Sequence, residues 1–428
     1  MRGKPLSECA GKRYYFLVPP ELYRPRLVDG QLAALLADFS AVMLVGPRAS
    51  GKTTTALRLT RSHVRLDHEG EAVAFRADPD SALRTMEEPI LLDEWQEVPG
   101  VLGAVKRAVD SDPSPGRFVI AGSVRADTGA HSWPLTGRAI RVTMLPLTER
   151  EISGDPTALT FLDRLLAKKL TAPKVTPDLA DCIARALRGG FPHPALHLST
   201  TAARVWLDSY LDQILTRDAS PTDARRDPER LRRYVEAVAA HTAGIVEHKT
   251  LFDAAGVARD TGDAYSDLLT NLFVLDLVPA WSTNRLKRVT RSPKRYLVDA
   301  GLVASALQVD VTGVLRDGDL IGRILDTFVA SQLRAELSAG AAKPRLFHLR
   351  QEQGRHEVDL IVEFAGGRII AIEVKATAAP RSTDARHLGW LRDELGDRFL
   401  AGVVFHTGPG LFEMGDRLIA APVSTLWA

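Results

Sequence analysis

Two cysteines are all that 428 residues contain, and Cys9 and Cys182 stand too far apart to share a metal-ligand spacing. No apolar run approaches the roughly 18 to 20 residues that a membrane span needs. The eleven histidines form no H-E-x-x-H or similar cluster, so no zinc site is expected. Neither sign of charge dominates: the formal net charge is +2, so a nucleic-acid surface would require local segregation of charge. The opening MRGKPLSECAGKRYYF lacks the continuous apolar core of a signal peptide. These absences set the expectation of a reduced, cytoplasmic setting without a membrane.

What is present is ordinary for a globular chain, 45% hydrophobic and 25% charged. The length exceeds one core, so about two to four domains are expected. No internal repeat or low-complexity tract appears. Residues 40 to 148 alternate short apolar runs with helical patterns (AVMLVG, TTALRLTRSHV, VRLDHE, PILLDEW, VLGAVKRAV, RFVIAGS, RVTMLPL), the order of a parallel α/β sheet. Residues 202 to 307 turn mainly helical, and from about 321 the helix ILDTFVASQLRAEL precedes several strand-like runs. The expected divisions are a lead-in over 1–30, an α/β domain over 31–200, a helical module over 201–312 and a second α/β domain over 313–428.

The stretch GPRASGKT matches G-x-x-x-x-G-K-[ST], with an apolar strand before it and a helical run after. Such a loop folds round a phosphate and turns successive N–H groups and a helix N-terminus toward the anion. Gly46, Pro47, Arg48, Ala49, Ser50, Gly51, Lys52, Thr53 and Thr54 are therefore the expected ATP-binding residues. Lys52 would reach the β- and γ-phosphates, and Thr53 would ligate Mg²⁺. In PILLDEWQEV a buried strand delivers Asp93 and Glu94 at its end. Asp93 is the expected second Mg²⁺ residue, and Glu94 the group that polarises water, with Glu97 as its understudy. RFVIAGS ends in Ser123, a candidate γ-phosphate sensor. Arg138, and after it Arg125, are candidate arginine fingers.

With GPRASGKT, ILLDEWQEVP, FVIAGS, TGRAIRVTMLPLTERE, RGGFPHPAL, PKRYLVDAGL, EVDLIVE…IIAIEVKAT and APVSTLW in that order, the chain resembles the prokaryotic AAA-type ATPases that carry a C-terminal domain of unknown function with a nuclease-like core. The resemblance spans nearly the whole chain. It implies a P-loop parallel-sheet ATPase core, a winged-helix module and a restriction-endonuclease-like tail.

In the middle module, EHKTLFDAAGV and RDTGDAYSDLLTNLFVLDLV have the proportions of a helix-turn-helix. The stretch after them carries Arg285, Lys287, Arg288, Arg291, Lys294 and Arg295, a basic wing for a phosphate backbone. Against that, residues 201 to 310 hold fifteen basic and fifteen acidic side chains, so the module is equally a spacer.

In EVDLIVEFAGGRIIAIEVKAT, a loop centred on Ala365-Gly366-Gly367 pairs two strands, with Asp359 facing Glu373, Leu360 facing Ile372 and Val362 facing Ile370. Period-two alternation sets Asp359, Glu373 and Lys375 on one face, the D…E-x-K arrangement of restriction-type nucleases, in which carboxylates hold a divalent ion. Asp326 on the preceding helix stands where that pattern more often has Glu. Two readings stay open, an active nuclease with a second divalent ion and an inherited fold that has lost the chemistry. The expected function is an ATPase coupling nucleotide state to DNA or a partner, with an ATP-licensed nuclease and a regulatory nucleotide-binding protein as alternatives. The expected partners are ATP, then DNA or a second copy of the chain.

Overall fold

The computed structural model describes residues 23–428 apart from 126–133, 154–155, 157–158, 218–226, 285, 287, 289–290, 341–342 and 352–354. The chain divides into two compact units, one running to Leu145 and including Asn271–Phe273, the other comprising Pro146–Thr270 and Val274–Ala428.

The first unit is built on five parallel strands, β1 (Ala41–Val45), β2 (Ser62–Arg65), β3 (Ile90–Asp93), β4 (Phe118–Gly122) and β5 (Ala139–Thr143), in the order β2-β3-β4-β1-β5. Every residue of β1, β3 and β4 is buried, as expected of a parallel sheet covered on both faces, where period-two alternation gives way to continuous apolar runs. Helix Val101–Ser111 shows how the cover is made: Val101, Leu102, Ala104, Val105 and Val109 fall on one buried face while Lys106 and Asp110 pair outside. Each large aliphatic side chain so buried contributes about 1.5–3 kcal/mol. The helix after the loop is short, Lys52–Ala56, because the chain turns at Leu57–Leu59 and enters β2 by Ser62.

The first compact unit ends at Leu145, apart from Asn271–Phe273. Residues 146 onward are bound into the second unit. Leu147 N donates to Gly190 O at 2.6 Å, and the buried Glu149 carboxylate pairs with Arg185 at 2.7 Å and with Arg188. Helix Gly318–Ala339 anchors the same stretch: Gln332 accepts from Glu149 N at 2.7 Å, and Glu336 accepts from Phe161 N and Leu162 N at 3.2 and 2.8 Å, capping helix Phe161–Leu166. The buried Asp299 accepts from Gly190 N and Gly301 N, both at 2.7 Å. The motifs LPLTERE, RGGFP and VDAGL therefore meet in space. Gly190 is required there, because a Cβ on it would lie 2.1 Å from Leu147 O.

Helices Pro228–Ala240, His248–Ala255 and Arg259–Asn271 follow, the second ending in a left-handed Gly256. The antiparallel pair β6 (Leu275–Val278) and β7 (Lys294–Leu297) comes next. The C-terminal sheet has six strands, β8 (Arg345–Gln351), β9 (His356–Glu363), β10 (Ile369–Val374), β11 (Phe399–His406), β12 (Phe412–Gly415) and β13 (Leu418–Pro422), ordered β12-β13-β11-β10-β9-β8. It is mixed: β9 and β10 are antiparallel, while β10, β11 and β13 run parallel. The hairpin register is the expected one, Leu360 opposite Ile372 and Val362 opposite Ile370, with Gly366 and Gly367 at positive φ in the turn. No helix among the described residues is long and apolar enough to cross a membrane. Cys9 lies outside the described residues, and Cys182 is buried, its thiol pushed up to about 12 by desolvation.

Candidate functional site

The loop GPRASGKT leaves β1 and wraps onto the N-terminus of helix Lys52–Ala56, with Gly51 at φ 94 as the residue before that helix. Gly46 approaches Met144 so closely that a Cβ would lie 2.1 Å from Met144 O. Lys52 is buried, and its ammonium donates to Gly46 O at 3.0 Å and Pro47 O at 2.7 Å. Burial pulls its pKa down to about 8, against the pull of Glu94 and Asp93. The buried Ser50 hydroxyl has no hydrogen-bond partner among the described residues. Such a cradle, with a cation folded over it and a polar atom left over, fits a polyphosphate.

On β3, one strand beyond β4 from the loop, Asp93 Oδ2 accepts from Thr53 Oγ1 at 2.9 Å. Desolvation raises the pKa of Asp93, and the Thr53 hydroxyl offsets part of that. Two hard oxygen donors so placed fit Mg²⁺. Glu94 takes a left-handed conformation, φ 50 and ψ 48, unusual for a residue with a Cβ. Its carboxylate is held by the Gln96 amide and by Ser123 Oγ, the latter at 3.4 Å. The structure therefore brings together Lys52, Thr53, Asp93, Glu94 and Ser123.

Arg138 is spoken for locally: its guanidinium pairs with Asp110 at 2.6 Å on helix Val101–Ser111. Arg125 lies 4.6 Å over the Phe273 ring. Neither pairing was visible in the sequence. Arg26 was missed entirely. It is buried and joins Ser50 O at 2.8 Å to Leu145 O at 2.6 Å, tying the loop to the end of β5. Nothing in the string YRPRL distinguishes it from a surface arginine.

In the second unit, Asp326, Asp359, Glu373 and Lys375 do gather. Asp359 Oδ2 accepts from Val374 N at 3.0 Å, its carboxylate is hydrogen-bonded to Glu373, and Lys375 pairs with Glu373 at 2.9 Å. Asp326, Asp359 and Lys375 line a cleft of about 540 Å³ together with Arg323 and Arg350. Burial and then Asp359 push the Glu373 carboxyl well above the usual carboxylate range, against the pull of Lys375. Among the described residues, no three His, Cys, Asp or Glu are arranged to hold a metal ion. The expected second divalent ion meets a physical obstacle: Lys294 Nζ lies 2.5 Å from Asp326 and 3.2 Å from Asp359.

The described residues of the basic wing are engaged within the protein. Arg288 makes a bidentate pair with Glu363 at 2.6 and 2.8 Å, and Arg291 donates to Arg350 O at 3.2 Å. Lys294 and Arg295 are 3% and 1% exposed, and Arg295 donates to Val246 O at 2.7 Å. Buried cations of this kind offer no surface to a phosphate backbone. Arg285 and Lys287 lie outside the described residues.

Three family descriptions match the chain. An AAA domain matches residues 38–153, and domains of unknown function match 179–312 (DUF8612) and 321–426 (DUF4143). Together with the loop and the acidic strand end, the match makes the first unit a P-loop, AAA-type nucleotide-binding domain. Uncharacterized proteins of Mycobacterium bovis and Mycobacterium tuberculosis are each 30% identical over 410 residues, covering 95% of this chain and 85% of their own length. The chain belongs to the family of these two proteins. A Walker-type ATPase of Pyrococcus abyssi aligns at a TM-score of 0.42 and 14% identity, over 68% of this chain and 99% of its own.

Proposed function

We propose that the protein is a Mg²⁺-dependent ATPase that uses nucleotide state to control binding of a partner. The observation that carries this reading is the Thr53–Asp93 hydrogen bond with Glu94 one residue on, held by Gln96 and Ser123. The matched AAA domain supports it. Thr53 and Asp93 would hold Mg²⁺, which supplies neutralising charge at the phosphates when bound. Lys52 exchanges its two loop carbonyls for phosphate oxygens. Glu94 orients water and takes up its proton, and Ser123 steadies the Glu94 carboxylate.

Phosphate release from Mg-ATP by the full chain tests the proposal, with and without DNA. Turnover that Glu94→Gln abolishes supports it. Tight ATP binding without turnover would make the protein a nucleotide-dependent regulatory binder instead. Metal-dependent nicking of plasmid would favour the ATP-licensed nuclease. DNA is the partner to try first, although the described wing residues are engaged elsewhere.

A further inference from the structure

We infer that Lys294 is the resident cation of the Asp326–Asp359 pair, so that the nuclease-like face of the second unit holds no divalent ion while Lys294 is in place. The ammonium lies 2.5 Å from Asp326 Oδ2 and 3.2 Å from Asp359 Oδ1. An oxygen-ligated Mg²⁺ or Mn²⁺ joining these two carboxylates would take up the same space, at about 2.0–2.2 Å from each oxygen. Two cations cannot occupy that space at once, and their like charges repel strongly in a buried setting.

The remaining oxygens of the pair are already satisfied. Asp326 Oδ1 accepts from Tyr296 OH at 3.0 Å, and Asp359 Oδ2 accepts from Val374 N at 3.0 Å. A buried ion pair is tolerated when its other lone pairs are used in this way. Charge balances as well. Burial alone would lower the Lys294 pKa, but Asp326, Tyr296 and Asp359 together hold its ammonium well above the usual lysine value. Asp359 is held below its usual value against burial, chiefly by Lys294 and then Lys375. Lys294 thus faces Asp326 and Asp359, while Lys375 pairs with Glu373 at 2.9 Å.

The source of the lysine matters. Lys294 opens β7, in the segment matched over 179–312, whereas the three carboxyls lie within 321–426. One matched segment thus supplies the counter-ion for the acidic face of the next.

The test uses the nucleotide-free full chain, with MnCl₂ as probe and free Mn²⁺ read by electron paramagnetic resonance. The parent should show no saturable site that Asp359→Asn removes. Lys294→Ala should gain one, binding Mn²⁺ at least about tenfold more tightly than the parent and losing it again when Asp359→Asn is added. Should Lys294→Ala fail to fold, Lys294→Gln takes its place, and the comparison of parent with Asp359→Asn needs neither. An Asp359-dependent Mn²⁺ site in the parent, or no gain in a folded Lys294 variant, overturns the inference.

Discussion

The indole of Trp95 occupies the space that a side chain at Gly122 would need: a Cβ on Gly122 would lie 2.3 Å from Trp95 Nε1 and 2.8 Å from Gln96 Oε1. Gly122 ends β4, next to Ser123, and Trp95 follows Glu94. The absence of one methyl group therefore lets the turn after β3 close against β4. It also sets Glu94 between Gln96 and Ser123.

Gly122→Ala should displace that turn and misplace Glu94. Phosphate release should fall by about 10²-fold or more, the scale of losing a positioned acid–base group. ATP affinity should change less, since a Cβ on Gly122 meets Trp95 and Gln96 first. Equal turnover in parent and variant would mean that the turn adapts without cost.

Glu94→Gln keeps shape and removes the base. ATP should still bind while hydrolysis drops by about 10²-fold or more. Fluorescent-nucleotide binding and phosphate release on one preparation separate the two effects. Unchanged turnover would move the role to Glu97.

Lys52 offers a test by pH. Its folded-state pKa of about 8 lies below the ordinary 10.5, because burial disfavours the ammonium. Unfolding takes up a proton between these values, so the penalty of burying the charge is full below about pH 8 and fades as pH rises toward the ordinary value. In the nucleotide-free protein Lys52→Met should therefore stabilise at neutral pH, by on the order of 1–3 kcal/mol. That gain should shrink above pH 8, and Mg-ATP should raise the melting temperature of the parent alone. A pH-independent difference between the two melting curves would contradict the shift.

Asp299→Ala removes the acceptor of two buried backbone N–H groups, those of Gly190 and Gly301. The expected cost is about 2–4 kcal/mol. Chemical denaturation of the full chain should show the transition of the second unit moving to lower denaturant. A midpoint that does not move would mean that water replaces the carboxylate.

Arg288 separates the two readings of the wing. Its bidentate pair with Glu363 is largely buried, with side chains 13% and 15% exposed. Arg288→Ala should destabilise the second unit by about 3–5 kcal/mol by leaving Glu363 unpaired. At temperatures where the variant stays folded, its DNA affinity and salt dependence should match the parent. A lower affinity with a flatter salt slope would restore Arg288 as a phosphate contact.

What could be read from the sequence was local. GPRASGKT and ILLDE are contiguous, and their geometry follows from strand, turn and helix in immediate succession. The hairpin register followed from a turn and a period of two. The pairing of Lys294 was not legible because its partners lie 32 and 65 residues away. A lysine among arginines reads as a charged surface until the topology folds β7 over the acidic face. The attachment of residues 147–151 to later segments was hidden for a similar reason. LPLTERE continues directly from β5, yet its glutamates find their partners far along the chain.

Glu149 has a consequence for exchanging parts between relatives. The matched AAA segment runs to residue 153, but Glu149 neutralises Arg185 and Arg188 within the second unit. A chimera joined at 153 would import a foreign residue 149 opposite two native arginines, and two unneutralised guanidiniums would be left facing each other wherever the donor lacks an acid there. A seam at Leu145 keeps the three side chains together, so the inheritable module is shorter than the segment that sequence similarity outlines.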